Sequence, residues 1–233
     1  MNKLMIANWK SNKNRAEVEE WMHTFEKQLE ILVALDKLKY DTVICPPMPS
    51  LSQVSDRLLN KALHSHTFLG VQDISPFPAG SYTGAVSGHN LIGFGVKYAV
   101  VGHSERRKYF KESSLEVSKK VESCIEERIT PIVCVDRNEI DAQADFIEKG
   151  KYSKLVVAYE PVDHIGTGIA QDVSEVLPVM RELKAVFRGA RIIYGGSVNP
   201  DNIDEFIAEE EIEGFLVGHA SLDVDEFGEL LKA

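Results

Sequence analysis

Leu155-Val156-Val157-Ala158-Tyr159-Glu160-Pro161-Val162 is a short apolar run that ends in a carboxylate and a proline. The run reads as a strand, and proline disfavours helical geometry in the residue before it, so Glu160 is held extended at the strand's end. A base held that way can be aimed. The stretch that follows, Ile165-Gly166-Thr167-Gly168, is punctuated by glycine and has the character of a lid. Three other segments share the pattern of polar residues after an apolar run: Asn8-Trp9-Lys10, Gly102-His103-Ser104-Glu105-Arg106-Arg107 and Tyr194-Gly195-Gly196-Ser197-Val198. Four strand ends bearing polar chemistry imply one shared site.

Working outward, eight such strand-like runs are present: Leu4 to Asn8, Thr42 to Cys45, Thr67 to Val71, Tyr98 to Val101, Ile132 to Val135, Leu155 to Ala158, Arg191 to Tyr194 and Phe215 to Val217. Longer amphipathic segments lie between them. Val18, Trp21, Met22, Phe25, Leu29 and Leu32 share one helical face, and Asp172 starts another helix carrying Val173, Val176, Leu177 and Met180. Strands separated by helices pair in parallel, and eight units close into an α/β barrel, the single (β/α)8 TIM barrel. An open doubly wound sheet is the competing architecture. No linker or low-complexity tract divides residues 1–233, which read as one domain.

The chain has 233 residues, ordinary hydrophobic and charged contents of 44% and 27%, and a formal net charge of -10. That charge argues against nucleic acid or an anionic membrane as partners, and an anionic substrate needs local positive potential against it. Cys45, Cys124 and Cys134 have no paired spacing, which reads as a reduced, cytoplasmic chain. The N-terminus is too poor in apolar residues for a secretory signal, and no run approaches the ~18 residues of a membrane span. Gly93-Phe94-Gly95 precedes a strand where a dinucleotide loop would follow one. His64-Ser65-His66 lacks a third ligand, so no metal is expected.

In their order along the chain, these motifs resemble the triosephosphate isomerase family from Met5 to about Leu222. The resemblance implies a cofactor-free interconversion of dihydroxyacetone phosphate and D-glyceraldehyde 3-phosphate through an enediolate, with Lys10, His103 and Glu160 catalytic. Asn8 and Lys10 are two apart and so share a strand face. Lys10 supplies positive potential for the phosphate and the substrate oxygen. His103 opens a short helix, and the resemblance implies that its ring stays neutral and donates to the substrate oxygen. Glu160 moves the proton between adjacent carbons. Ser104, Glu105 and Glu112 belong to supporting networks. Gly195-Gly196-Ser197 and Gly218-His219-Ala220 provide main-chain N–H groups for phosphate, with Gly166 donating from the lid, roughly Pro161 to Gln171. The closed lid keeps water from an intermediate prone to lose its phosphate.

The chain departs from the family at several positions. Asp163 replaces the usual tryptophan, and Arg137 stands in a segment that usually ends in glutamate, so these two are expected to pair as a latch on the open lid. Ile169-Ala170-Gln171 forms a far hinge without the usual basic residue, and His219 replaces a second glycine, which puts its backbone conformation in question. The long loop from Gln72 to Gly84 resembles the family's interdigitating loop. Its tip, Thr83, is then expected to enter the neighbouring subunit of a homodimer and contact that subunit's Asn8 and Lys10. Ala85 replaces an acid there, which leaves Arg106 without its usual partner across the interface.

Two other classes compete. An aldolase needs a Schiff-base lysine within the barrel and an epimerase often recruits metal ligands; neither constellation appears. A noncatalytic relative is disfavoured by the intact set Asn8, Lys10, His103 and Glu160.

Overall fold

The computed structural model describes residues 2–59, 65–164 and 170–233. All eight sequence-predicted strands form: β1 Lys3–Asn8, β2 Tyr40–Cys45, β3 Thr67–Val71, β4 Val96–Val101, β5 Thr130–Val135, β6 Val156–Tyr159, β7 Arg191–Tyr194 and β8 Gly214–Val217. Neighbours in sequence pair in parallel, and β8 returns to β1. This closed barrel excludes the open doubly wound sheet.

Strand side chains alternate, and the alternation sorts the core into two layers. Leu4, Ile6, Val43, Val100, Ile132, Val156, Ala158, Ile193 and Leu216 pack together inside the barrel. Met5, Ala7, Val133, Val157, Tyr159, Tyr194 and Val217 pack outward against the helices. Continuing the inward parity by one step brings Asn8, Glu160, Gly195 and Gly218 to the barrel mouth. The period that builds the core therefore also delivers the polar residues to one rim.

The helices are α1 Arg15–Ala34, α2 Leu51–Leu59, α3 Ser104–Phe110, α4 Ser114–Glu126, α5 Ile140–Phe146, α6 Val173–Val186, α7 Ile203–Ile207 and α8 Val224–Lys232. Asn14 and Glu17 form a reciprocal capping box at the start of α1, and the predicted face from Val18 to Leu32 is buried. Asp172 caps α6 through Ser174 N–H. Trp9, Trp21, Phe25 and Phe227 pack as one aromatic cluster, joining the end of β1 to α1 and α8. Trp21 Nε1 donates to the Ser221 carbonyl at 3.1 Å, which ties that cluster to the turn after β8.

Regular alternation fails at one connection. Between β3 and β4 the described helical structure is a 3-10 turn, Gly88–Leu91, and two α-helices follow β4 instead. Pro76, Pro78, Gly80 and Gly84 in the preceding stretch disfavour an α-helix there. The three cysteines are buried and unbridged. No helix among the described residues is long and apolar enough to cross a membrane.

Candidate active site

Strand β1 ends at Asn8, and the chain then turns. Asn8 Oδ1 accepts the Lys10 N–H at 3.1 Å, and Lys10 adopts φ 51°. A left-handed lysine costs about 1–2 kcal/mol. Gln72 Nε2 holds the turn by donating to the carbonyls of Lys10 and Cys45, at 2.9 and 3.0 Å. Asn8 thus reaches the mouth on the strand's parity and Lys10 by a turn beyond it, and the expectation of a common strand face is corrected. Lys10 Nζ lies 2.7 Å from Glu105 Oε1.

At the end of β4, Gly102 takes φ 70°, and His103 caps α3 with its own ring: Nδ1 accepts the Glu105 N–H at 3.2 Å. A ring nitrogen that accepts carries no proton, so the neutral ring bears its hydrogen on Nε2. That Nε2 lies 3.0 Å from Glu160 Oε1. Glu160 Oε2 accepts the Ser104 N–H at 2.7 Å. Only 2% of Glu160 and 6% of His103 are exposed, so water screens neither.

Burial alone would raise the Glu160 carboxyl, but the His103 ring and the Ser104 N–H outweigh it and hold the group below its ordinary value. For His103, burial pulls downward, while the Glu160 carboxylate outweighs it and holds the ring above its ordinary value. The carboxylate thus eases protonation of the ring, but the Glu105 N–H occupies Nδ1, so in this arrangement a neutral ring donates from Nε2 to Glu160 Oε1. The ring's surroundings would favour the neutral form once the carboxylate left it, since burial and Lys10 both act downward.

Across the mouth, Gly195, Gly196, Ser197, Gly218 and His219 line the same pocket of about 470 Å³ as Asn8, Lys10, His103 and Glu160. That size suits a small ligand. Among the described residues the N–H groups of Ser197 and His219 find no acceptor. His219 is exposed and is not among the residues with positive φ, so no left-handed strain attends the loss of glycine there. Ser197 Oγ donates to the His164 carbonyl at 2.6 Å, so its hydroxyl engages the near end of the lid. Gly166 lies outside the described residues, as does His64 of the rejected metal motif. Among the described residues no cluster of three His, Cys, Asp or Glu could hold a metal.

Thr83 is exposed, lies in a turn and is not among the residues lining this pocket. Phe77 and Tyr82 of the same loop stack at 4.6 Å. Arg106, expected to lack its usual partner across the interface, pairs with Asp73 at 2.9 Å within its own chain. Asp73 and Glu112 both pair with the buried Lys120. Glu112 thereby takes the supporting role expected of it. The Asp163–Arg137 pair does not form here: among the described residues Arg137 faces Glu182 at 3.9 Å.

Sequence reasoning missed Gln72 and the tyrosine pair behind the lid. Gln72 was within reach of the parity rule, because Val71 packs outward and the next residue points inward. Tyr159 Oη donates to Gln171 Oε1 at 3.0 Å, and the Gln171 N–H donates to Tyr194 Oη at 3.3 Å. No local pattern signals that contact.

Comparison with known proteins places this geometry in context. The family described as Triosephosphate isomerase matches residues 3–233. Proteins named triosephosphate isomerase from Acaryochloris marina and from a Picosynechococcus species are 38% and 37% identical to the chain, each match covering 100% of it and 99% of the relative. One from Mesomycoplasma hyopneumoniae is 34% identical, with 99% of both proteins covered.

Proposed function

This chain belongs to the triosephosphate isomerase family, and from that premise we infer that it interconverts dihydroxyacetone phosphate and D-glyceraldehyde 3-phosphate in glycolysis and gluconeogenesis. The reaction is a proton transfer between adjacent carbons and uses no cofactor. Glu160 is the base. Its carboxylate rests on Ser104 and His103, and it leaves them to take the substrate's carbon proton. When the carboxylate moves away, the neutral His103 ring is free to donate from Nε2 to the substrate oxygen. The Glu105 N–H on Nδ1 fixes that tautomer. The enediolate is nearly symmetric, so one carboxylate returns the proton to the neighbouring carbon.

Lys10 stabilises negative charge growing on the oxygen and attracts the phosphate, in a protein whose overall charge is unfavourable to both. Asn8 holds the Lys10 turn in place. Main-chain N–H groups of Ser197, Gly218 and His219 receive the phosphate, and Gly166 adds a donor from the lid. Lid closure excludes water and suppresses loss of phosphate from the intermediate.

The family is homodimeric. The Thr83 loop enters the neighbouring subunit, a reading supported by Thr83 being exposed and not lining its own chain's pocket. Residues 1–233 act as one domain, in the cytoplasm. The observation that carries the assignment is the 3.0 Å approach of Glu160 to His103 in a pocket that Lys10 and the two glycine loops also line.

A coupled assay with D-glyceraldehyde 3-phosphate tests it. Turnover by the wild type, insensitive to chelator and to borohydride added with substrate, is expected, with kcat falling about 10³-fold in Glu160→Gln. Borohydride trapping would instead indicate a Schiff-base aldolase, and chelator sensitivity a metal-dependent epimerase.

A further inference from the structure

We propose that the Gln171 side-chain amide is a positioning group that ties Tyr159, at the end of β6, to Glu175 in the first turn of α6, and so holds the adjoining Glu160 in place. The proposal rests on the reading of Glu160 as base and of Gly195 to Ser197 as the phosphate loop.

Three hydrogen bonds converge on this residue. Tyr159 Oη donates to Gln171 Oε1 at 3.0 Å, Gln171 Nε2 donates to Glu175 Oε2 at 3.2 Å, and the Gln171 N–H donates to Tyr194 Oη at 3.3 Å. Tyr159 immediately precedes Glu160, and Tyr194 immediately precedes Gly195. Each ring therefore belongs to the strand end from which a site residue emerges. The two rings lie 6.2 Å apart, and Tyr194 is stacked on Phe206 at 4.8 Å, which fixes it from its other side. Burial holds both phenols above their ordinary values, so both are protonated at neutral pH.

The chemistry selects glutamine. A primary amide accepts at its oxygen and donates at its nitrogen, so it bridges a phenol and a carboxylate at once. Glutamate would set one carboxylate against another at Glu175. Methionine has similar length and does neither job. Glu175 lies in the first turn of α6, so the bridge also seats that helix against the end of β6.

Loss of that bridge should affect chemistry more than binding, because Tyr159 and the adjoining Glu160 would lose their fixed placement while the Gln171 N–H still holds Tyr194 beside the phosphate loop. The intermediate would also escape more often. In that escape the enediolate oxyanion reforms a carbonyl, the existing carbon–carbon double bond shifts to the carbon that bears phosphate, the bond from that carbon to the phosphate oxygen breaks, inorganic phosphate leaves, and the remaining enol tautomerises to methylglyoxal.

The test measures kcat, KM and inorganic phosphate released per isomerisation for the whole protein, with Gln171→Met, Tyr159→Phe and the double variant. We expect Gln171→Met to lower kcat about fivefold to tenfold with KM within about twofold, and to raise phosphate release at least about threefold. Tyr159→Phe removes the same bond from its other partner and should reproduce the effect even if Gln171→Met fails to fold. The double variant should be no worse than the more impaired single variant. Unchanged kcat, additive losses, or a lower thermal midpoint with unchanged phosphate release would overturn the proposal. A wild type inactive on D-glyceraldehyde 3-phosphate, or a fully active Glu160→Gln, would instead remove the reading beneath it.

Discussion

Glu160 and His103 shift each other's titration, and their linkage gives the pair a pH signature. The carboxyl is held below its ordinary 4.5, so its stabilising contribution is present above 4.5 and lost as pH falls through the lowered value. The ring is held above its ordinary 6.5, so its contribution is full below 6.5 and lost as pH rises through the raised value. Both contributions are complete only between 4.5 and 6.5. Thermal melts of the wild type and Glu160→Gln should therefore differ most in the wild type's favour between pH 4.5 and 6.5, and the difference should shrink as pH rises through the ring's raised value. A pH-independent difference would refute the coupling. At this scale the sequence made the candidate residues legible, because each follows an apolar run at a strand end. It did not reveal the left-handed turn at Lys10. That turn depends on Gln72, 62 residues away in the chain, which donates to the Lys10 carbonyl.

The junction of β4 and α3 shows how an element aims a side chain. Gly102 has φ 70°, and a Cβ there would lie 2.9 Å from Val117 Cγ2 and from Arg107 Nη2. Positive φ alone disfavours a side chain, and α4, which carries Val117, leaves little room to relax. Gly102→Ala should destabilise by more than about 1 kcal/mol in chemical denaturation. It should also lower kcat, because it shifts the His103 ring and the Ser104 N–H together. Normal kcat with normal stability would show that the junction tolerates a side chain. The eight strands were legible because a short apolar run at a regular interval is a strong signal. The connection from β3 to β4 was less so, since its prolines and glycines mark a loop without giving its path. The expected latch failed for a related reason. Complementary charges at 137 and 163 do not say which carboxylate is nearer, and Arg137 faces Glu182.

At the scale of the whole molecule, the pocket is built by one chain, while the proposed Thr83 contact comes from another. Activity per subunit should fall on dilution in step with dissociation followed by sedimentation; constant specific activity through dissociation would make the Thr83 loop dispensable. The Asp73–Arg106 pair keeps within one subunit a charge that the sequence left unmatched across the interface. An interface dependent on fewer cross-subunit charges should respond weakly to added salt. The closed barrel followed from counting strands and the homodimer from the family resemblance, while the loop's sequence alone does not specify what its tip contacts. The central claim is that Glu160, in the pocket it shares with His103 and Lys10, transfers the carbon proton. Isomerisation of D-glyceraldehyde 3-phosphate in D₂O, followed by NMR of the dihydroxyacetone phosphate formed, tests it most directly. The account predicts deuterium at the newly protonated carbon with the wild type and an exchange rate about 10³-fold lower with Glu160→Gln. Wild-type exchange in that variant would contradict it.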